Sequence, residues 1–305
     1  MANIISKEEK HKLLEKENAG KTHISFSELS LYKQCGHRHL IEKHLKIEEQ
    51  PPSIHLFFGN AIHESIEFAL KENYSIDQRI EYFKSTFRKN MMDNMINTPE
   101  FADTDNFCDQ GENILRILDL DAIRDEYYVI SIEEPLYEKI FGFFYFKGFL
   151  DLCLRHKVTK RVKIVDWKTS GQKWYLSQKM KDEVFKAQMR LYKFFWARKN
   201  NVPLDNIDCT YIVLNRLKNK KKPEDGFGEI DWIDISSTKE EMKEGLEMMT
   251  KVVRNIHVEK NFGKVKHYGN ERFGCMFCKY KGGNHPLCDE TFTQANKLLL
   301  EHNKA

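Results

Sequence analysis

Up to about residue 126 the apolar positions recur at helical spacing, and from 126 to 169 they give way to aromatic and β-branched runs. Residues 1–22 read as a charged arm, frayed or helical. "SFSELSLYKQCGHRHLIEKHL" then offers a serine cap before a helix, and a second helix is expected near Gly59 in "FGNAIHESIEFALKE", with Ile62, Ile66, Ala69 and Leu70 on one face. A polar, largely helical segment runs on to about 126. Three strands follow, at 126–141, 143–156 and 161–169, with turns at Gly142 and at "KVTK", as in an antiparallel meander. A helix over about 178–200, a fourth strand in "DCTYIVLNRL" and a helix over 236–258 complete the order. Helix, three strands, helix, strand predicts an α/β fold. No internal repeat or low-complexity tract interrupts it.

Composition narrows the class. With 305 residues, 41% hydrophobic and 31% charged, the chain has ample material for a core and is too apolar for disorder. No run reaches the length of a membrane span, and the N-terminal stretch is charged where a secretory signal is apolar, so the expected location is cytoplasmic. Net charge is only +3, yet residues 254–282 carry seven Lys or Arg against two acids, and "RLKNKKK" at 216–222 adds five positive charges. Such clusters suit a polyanion, although "RLKNKKK" reads equally well as a solvated loop. Phe262, Tyr268, Phe273 and Tyr280, set among the tail lysines, suit base stacking or a local core.

The chemistry centres on "GFLDLCLRHKVTKRVKIVDWKTS". Two strand-like runs each carry an aspartate, Asp151 and Asp166, where a core residue would cost less, and a pair of buried carboxylates calls for a cation between them. Lys168 lies two residues after Asp166, on the same side of a strand. Hard oxygen ligands around Mg²⁺ or Mn²⁺ neutralise charge on phosphorus and generate hydroxide near neutral pH, so the pattern suits phosphodiester hydrolysis. His63 aligns with Glu67 one helical turn on, and as a softer ligand it brings in Mn²⁺. Gln188 and Tyr192, at i and i+4, share a helix face toward the sheet. Glu134 on the first strand reads as solvent-facing.

The order of "AIHE", "GFLD", "DWKT" and "QMRLY" resembles the PD-(D/E)XK nuclease superfamily, in its RecB-like branch of phage exonucleases, helicase-linked domains and CRISPR-associated nucleases. The resemblance implies a restriction-endonuclease-like core at 59–215 within a nuclease domain at 23–290, a mixed sheet flanked by helices, with 291–305 as a tail. By that resemblance His63, Asp151, Asp166 and the carbonyl of Trp167 bind metal. Lys168 is the catalytic lysine, and Gln188 and Tyr192 form the QxxxY element that supports the site and contacts DNA. Asp166 stands where many members have glutamate.

Seven cysteines without an export signal argue against disulfides. Cys108, Cys153 and Cys209 read as packed or inert thiols. Cys35, Cys275, Cys278 and Cys288 resemble the branch's arrangement of one cysteine before the core and three after it, which implies a 4Fe-4S cluster, with Zn²⁺ the alternative. His285 is a substitute ligand in the long gap before Cys288. The expectation is a metal-dependent deoxyribonuclease, an exonuclease on DNA ends or single strands in recombination, repair or replication. Candidate partners are DNA with a helicase, recombinase or CRISPR integration protein, and no membrane. The alternative is a DNA-binding or scaffolding module of the same fold without catalysis.

Overall fold

Short polar side chains set where the helices begin. The protein's structure, a computed structural model, describes residues 7–46, 53–171, 180–216 and 228–262. In chain order the elements are α1 (Lys7–Glu17), β1 (Thr22–Ser25), α2 (Phe26–Gln34), α3 (Gly36–His39, prolonged by a π turn over Leu40–His44), α4 (Ile54–Glu72), α5 (Ile76–Met95), α6 (Thr104–Ile117), α7 (Leu120–Glu126), β2 (Tyr127–Phe141), β3 (Phe144–His156), β4 (Val162–Ser170), α8 (Glu183–Asn200), β5 (Ile207–Asn215), β6 (Glu229–Asp234) and α9 (Lys239–His257). The helix expected near Gly59 starts earlier, at Ile54, because the Ser53 side chain accepts the Leu56 N–H. Ser75 and Gln78 close a capping box on α5. Asp182 caps α8, which therefore begins at Glu183 rather than near 178. The chain divides into two compact units.

The first unit holds α1, residues 53–136 and the described part of 149–242. Its mixed sheet joins β3 to β4 antiparallel (Leu152 opposite Val165), β4 to β5 parallel (Val162–Ser170 along Ile207–Asn215) and β5 to β6 antiparallel. Strands alternate faces, so Val165, Trp167, Ile212 and Leu214 pack into one core with Phe58, Ile62 and Ile66 of α4 and with Phe83 and Phe87 of α5. Burial of a phenylalanine of this kind is worth about 1.5–3 kcal/mol. Gly111 lets α6 come close to α5, since a Cβ there would lie 2.1 Å from the Phe83 ring. Arg79, buried beneath them, donates to the terminal carbonyls of Leu115 and Leu118 that α6 leaves without helical partners. On the opposite face α8 lies against Asp166, Cys209 and Tyr211.

The second unit takes the described residues of 18–50, 137–148 and 243–262. There β1 pairs parallel with the start of β3, Thr22 beside Phe144 and Ser25 beside Lys147. Glu28 and His39 lie 3.0 Å apart, and the rings of His39, His44 and Phe262 pack around them. Burial drives the His44 imidazole down to about 4, with His39 adding to the effect. Tyr32 donates to the Asn261 carbonyl at 2.5 Å.

The observed architecture is α/β with a mixed sheet flanked by helices. The helical segment before residue 126 resolves into α4 to α7, and the meander of β2, β3 and β4 is antiparallel at β3–β4. Strands β1 and β6 were not expected: each is short, four and six residues, and depends on a long-range partner rather than on its own apolar run. Cys108, expected in a polar stretch, sits on the buried face of α6. Cys275, Cys278, Cys288, His285 and the tail aromatics beyond Phe262 lie outside the described residues. No described helix is long and apolar enough to cross a membrane.

Candidate active site

The register of three strands brings the acidic residues together. Asp151 and Asp166 each stand one residue beyond the Leu152–Val165 pair, and Asp166 lies beside Tyr211 across the parallel β4–β5 ladder. All are buried: Asp151 is 7% exposed, Asp166 3% and Tyr211 0%. Asp151 Oδ2 accepts the Trp167 backbone N–H at 2.8 Å, which ties the carboxylate to the next strand, and His63 Nδ1 approaches the same oxygen to 3.9 Å from α4.

Asp166 is held from both sides. Gln188 Nε2 of α8 donates to its Oδ1 at 2.9 Å, and Lys168 Nζ lies 2.6 Å from its Oδ2. Burial, followed by the Asp151 charge, raises the carboxyl to about 6 even against the pull of Lys168. The lysine is the more accessible partner, its side chain 30% exposed, with the ammonium 5.4 Å over the Tyr211 ring. Gln188 in turn accepts from the Tyr211 hydroxyl at 3.2 Å and donates weakly to the Tyr192 hydroxyl at 3.4 Å. Burial and the Asp166 charge push both phenols well above their ordinary range, so they stay neutral donors. The result is two neighbouring sets of contacts, His63 with Asp151, and Asp166 with Lys168, Gln188, Tyr192 and Tyr211, joined electrostatically by the Asp151 charge acting on Asp166.

The donor set fits a hard divalent cation. Two buried carboxylates lie close enough for Asp151's charge to raise the Asp166 carboxyl, and Asp166 Oδ2 receives no well-directed hydrogen bond although a cation stands beside it. An imidazole and the Trp167 carbonyl belong to the same strands and helix. Among the described residues, however, no three His, Cys, Asp or Glu side chains already converge as a ligand group. The pairs His63–Asp151 and Lys168–Asp166 are the convergence that is present.

Two readings change. Glu134 is not solvent-facing: its carboxylate accepts from Ser131 Oγ at 2.6 Å, Trp196 Nε1 at 2.9 Å and Lys199 Nζ at 2.8 Å. The alternation fails there because Glu133 adopts a positive φ of 49° and turns inward, fully buried. Arg216, for which "RLKNKKK" offered a solvated loop or a polyanion contact, is 7% exposed, so the solvated-loop reading does not hold for it. Tyr211 was missed, and aligning "RVKIVDWKT" with "DCTYIVLN" as parallel strands is the signal that finds it. Cys35 caps α3, its Sγ accepting the Arg38 N–H at 3.4 Å, while burial raises the Cys209 thiol to about 12 and the Cys153 thiol higher. The last two are inert packing groups, as expected.

The chain matches the family model described as "PD-(D/E)XK nuclease superfamily" over residues 23–282. No curated protein matches it. Among solved structures, one titled "Crystal structure of SSO0001" is similar at 10% identity, covering 72% of this chain and 83% of that chain at a TM-score of 0.31.

Proposed function

The chain belongs to the PD-(D/E)XK nuclease superfamily, and we propose that it is a deoxyribonuclease acting as an exonuclease on DNA ends or single strands, in recombination, repair or replication. Nucleases of this superfamily usually use Mg²⁺ or Mn²⁺. One observation carries the reading: Asp166 is a buried carboxylate that burial and Asp151 raise to about 6, with a lysine against its free side.

His63, Asp151, Asp166 and the Trp167 carbonyl are the residues that would hold the ion. Bound there, it supplies charge neutralisation at phosphorus and a water acidic enough to attack. The chain's own groups do the rest. Gln188 fixes the orientation of Asp166 through Oδ1, and Tyr211 and Tyr192 hold the Gln188 amide in place. Lys168, its side chain 30% exposed and its ammonium beside Asp166, is placed to donate hydrogen bonds toward the attacking water or the phosphoryl oxygens. Burial and Asp151 raise the Asp166 carboxyl to about 6, so at neutral pH it is mostly, not wholly, ionised.

Cys35, with Cys275, Cys278 and Cys288, is proposed to hold a 4Fe-4S cluster, with Zn²⁺ the alternative. The partially exposed Cys35 thiol at the α2–α3 junction supports this placement, and absorption near 400 nm separates the two metals. DNA is the proposed partner, alongside a helicase, recombinase or CRISPR integration protein, in the cytoplasm. A second reading, a DNA-binding module without catalysis, is favoured by one observation: Lys168 already neutralises Asp166 without a metal.

The test is a time course on end-labelled single-stranded and duplex DNA with Mg²⁺, Mn²⁺ or EDTA, native chain against Lys168→Ala. Labelled nucleotides that need metal and vanish in the variant support the exonuclease. Uncut DNA that still shifts in a gel moves the protein to the binding-module reading.

A further inference from the structure

A buried guanidinium sits where β5 ends, with no acid to answer it. Arg216 follows the last residue of β5 and donates its backbone N–H to the Ser170 carbonyl at 2.8 Å, so it lies just past the end of the β4–β5 ladder. Its side chain falls on the Ile212 and Leu214 face, the face that α4 covers. There it spans Phe107 and Phe58, 4.5 and 5.2 Å from their ring centroids. Its hydrogen-bond partners are neutral: His55 at 3.2 Å and Gln110 Oε1 at 3.5 Å. No described carboxylate pairs with it, and Arg keeps its charge at any physiological pH.

Every other buried arginine in the first unit has a structural employment. Arg190 is bound to Glu183 and Glu241, and Arg79 to helix-end carbonyls. For Arg216, two aromatic faces and two neutral groups leave the charge uncompensated in a shielded place, an arrangement that an arriving anion relieves. Burial, with no opposing charge, draws its pKa below the ordinary value. The room for it is specific. A Cβ on Gly171 would come within 2.5 Å of Arg216 Nη2, so the chain keeps a glycine where the guanidinium lies. His55 adds an outward donor: its Nδ1 faces the arginine, which places the ring proton on Nε2, and the residue is exposed.

His55 and His63 are eight residues apart on α4, two turns and about 12 Å along the axis. That span is on the order of a few nucleotides of one strand. We propose that Arg216, with His55, binds a backbone phosphodiester of the substrate strand a few nucleotides from the bond that is cut, so that it sets the register of the strand over the acidic residues. A guanidinium fork recognises phosphate by paired hydrogen bonds, which a lysine in "RLKNKKK" does not. The proposal rests on the nuclease reading.

The test measures binding without cleavage. Full-length protein carrying Lys168→Ala is titrated in EDTA against fluorescein-labelled single-stranded oligonucleotides over a range of KCl, with Arg216→Gln and His55→Ala added in turn. Arms carry a 5′-phosphate, a 3′-phosphate or two hydroxyl ends. Arg216→Gln is expected to weaken binding about tenfold on all three and to reduce the slope of log affinity against log salt by about 0.7. His55→Ala, an exposed position that leaves the fold intact, is expected to cost about threefold. An unchanged slope and affinity in both variants overturns the proposal, and so does a loss confined to oligonucleotides with a terminal phosphate. If the Lys168→Ala parent binds no DNA at all, the nuclease reading fails and the proposal falls with it.

Discussion

Asp166 and Glu134 are both carboxylates gripped by α8, yet they have opposite fates. Burial raises Glu134 as well, but hydrogen bonds from Lys199, Ser131 and Trp196 outweigh it and leave the group below its ordinary value. Asp166 receives one amide and one lysine and ends near 6. The difference teaches what to look for in a carboxylate strand. An acid whose oxygens all accept well-directed hydrogen bonds is a strut; an acid raised by burial and by a neighbouring acid, with a lysine beside it, is a candidate site.

The comparison breaks most clearly at Lys168. Lys168→Ala is expected to reduce DNA cleavage by about a thousandfold while leaving melting temperature nearly unchanged, read by single-turnover kinetics. Gln188→Ala, which releases Asp166 Oδ1, is expected to cost about tenfold in rate with little change in DNA affinity, read as a kcat effect with KM held. Glu134→Gln should do the reverse. Activity stays within about threefold, while loss of the charged partner of Lys199 costs about 1–3 kcal/mol of stability, read by urea denaturation.

Acidity sharpens it further. Asp166 is raised in the folded state, so the native protein binds more protons than the unfolded one between the ordinary carboxylate value, 3.8, and about 6. Stability of metal-free protein therefore falls as pH rises through that window, by on the order of 3 kcal/mol from this group alone. Urea midpoints from pH 4 to 7 measure the slope, and Asp166→Asn is expected to remove it. The smallest effect belongs to Tyr211→Phe, which loses the hydroxyl that orients Gln188 Oε1 and is expected to lower the rate about threefold.

Much of this was legible because the signals are local. The step of two residues from Asp166 to Lys168 and the step of four from Gln188 to Tyr192 put those side chains together regardless of the rest of the fold. What escaped depends on register or on backbone exceptions. Tyr211 becomes a neighbour of Asp166 only through a parallel pairing across forty-odd residues of chain. Glu134 faces inward partners because Glu133 takes a positive φ, which no alternation rule anticipates. Arg216 stood first in a basic run that read as solvated loop or polyanion contact, and its burial follows from Phe58, Phe107 and Gly171, three distant positions.

The central claim is that Asp166, raised by burial and by Asp151, holds a divalent cation, and the most direct measurement is melting temperature at pH 7 as Mn²⁺ is added to native protein, Glu134→Gln and Asp166→Asn. Stabilisation of the native protein and of Glu134→Gln by several degrees, with none in Asp166→Asn, is the predicted result. Equal stabilisation of all three, or its loss in Glu134→Gln alone, would contradict the account.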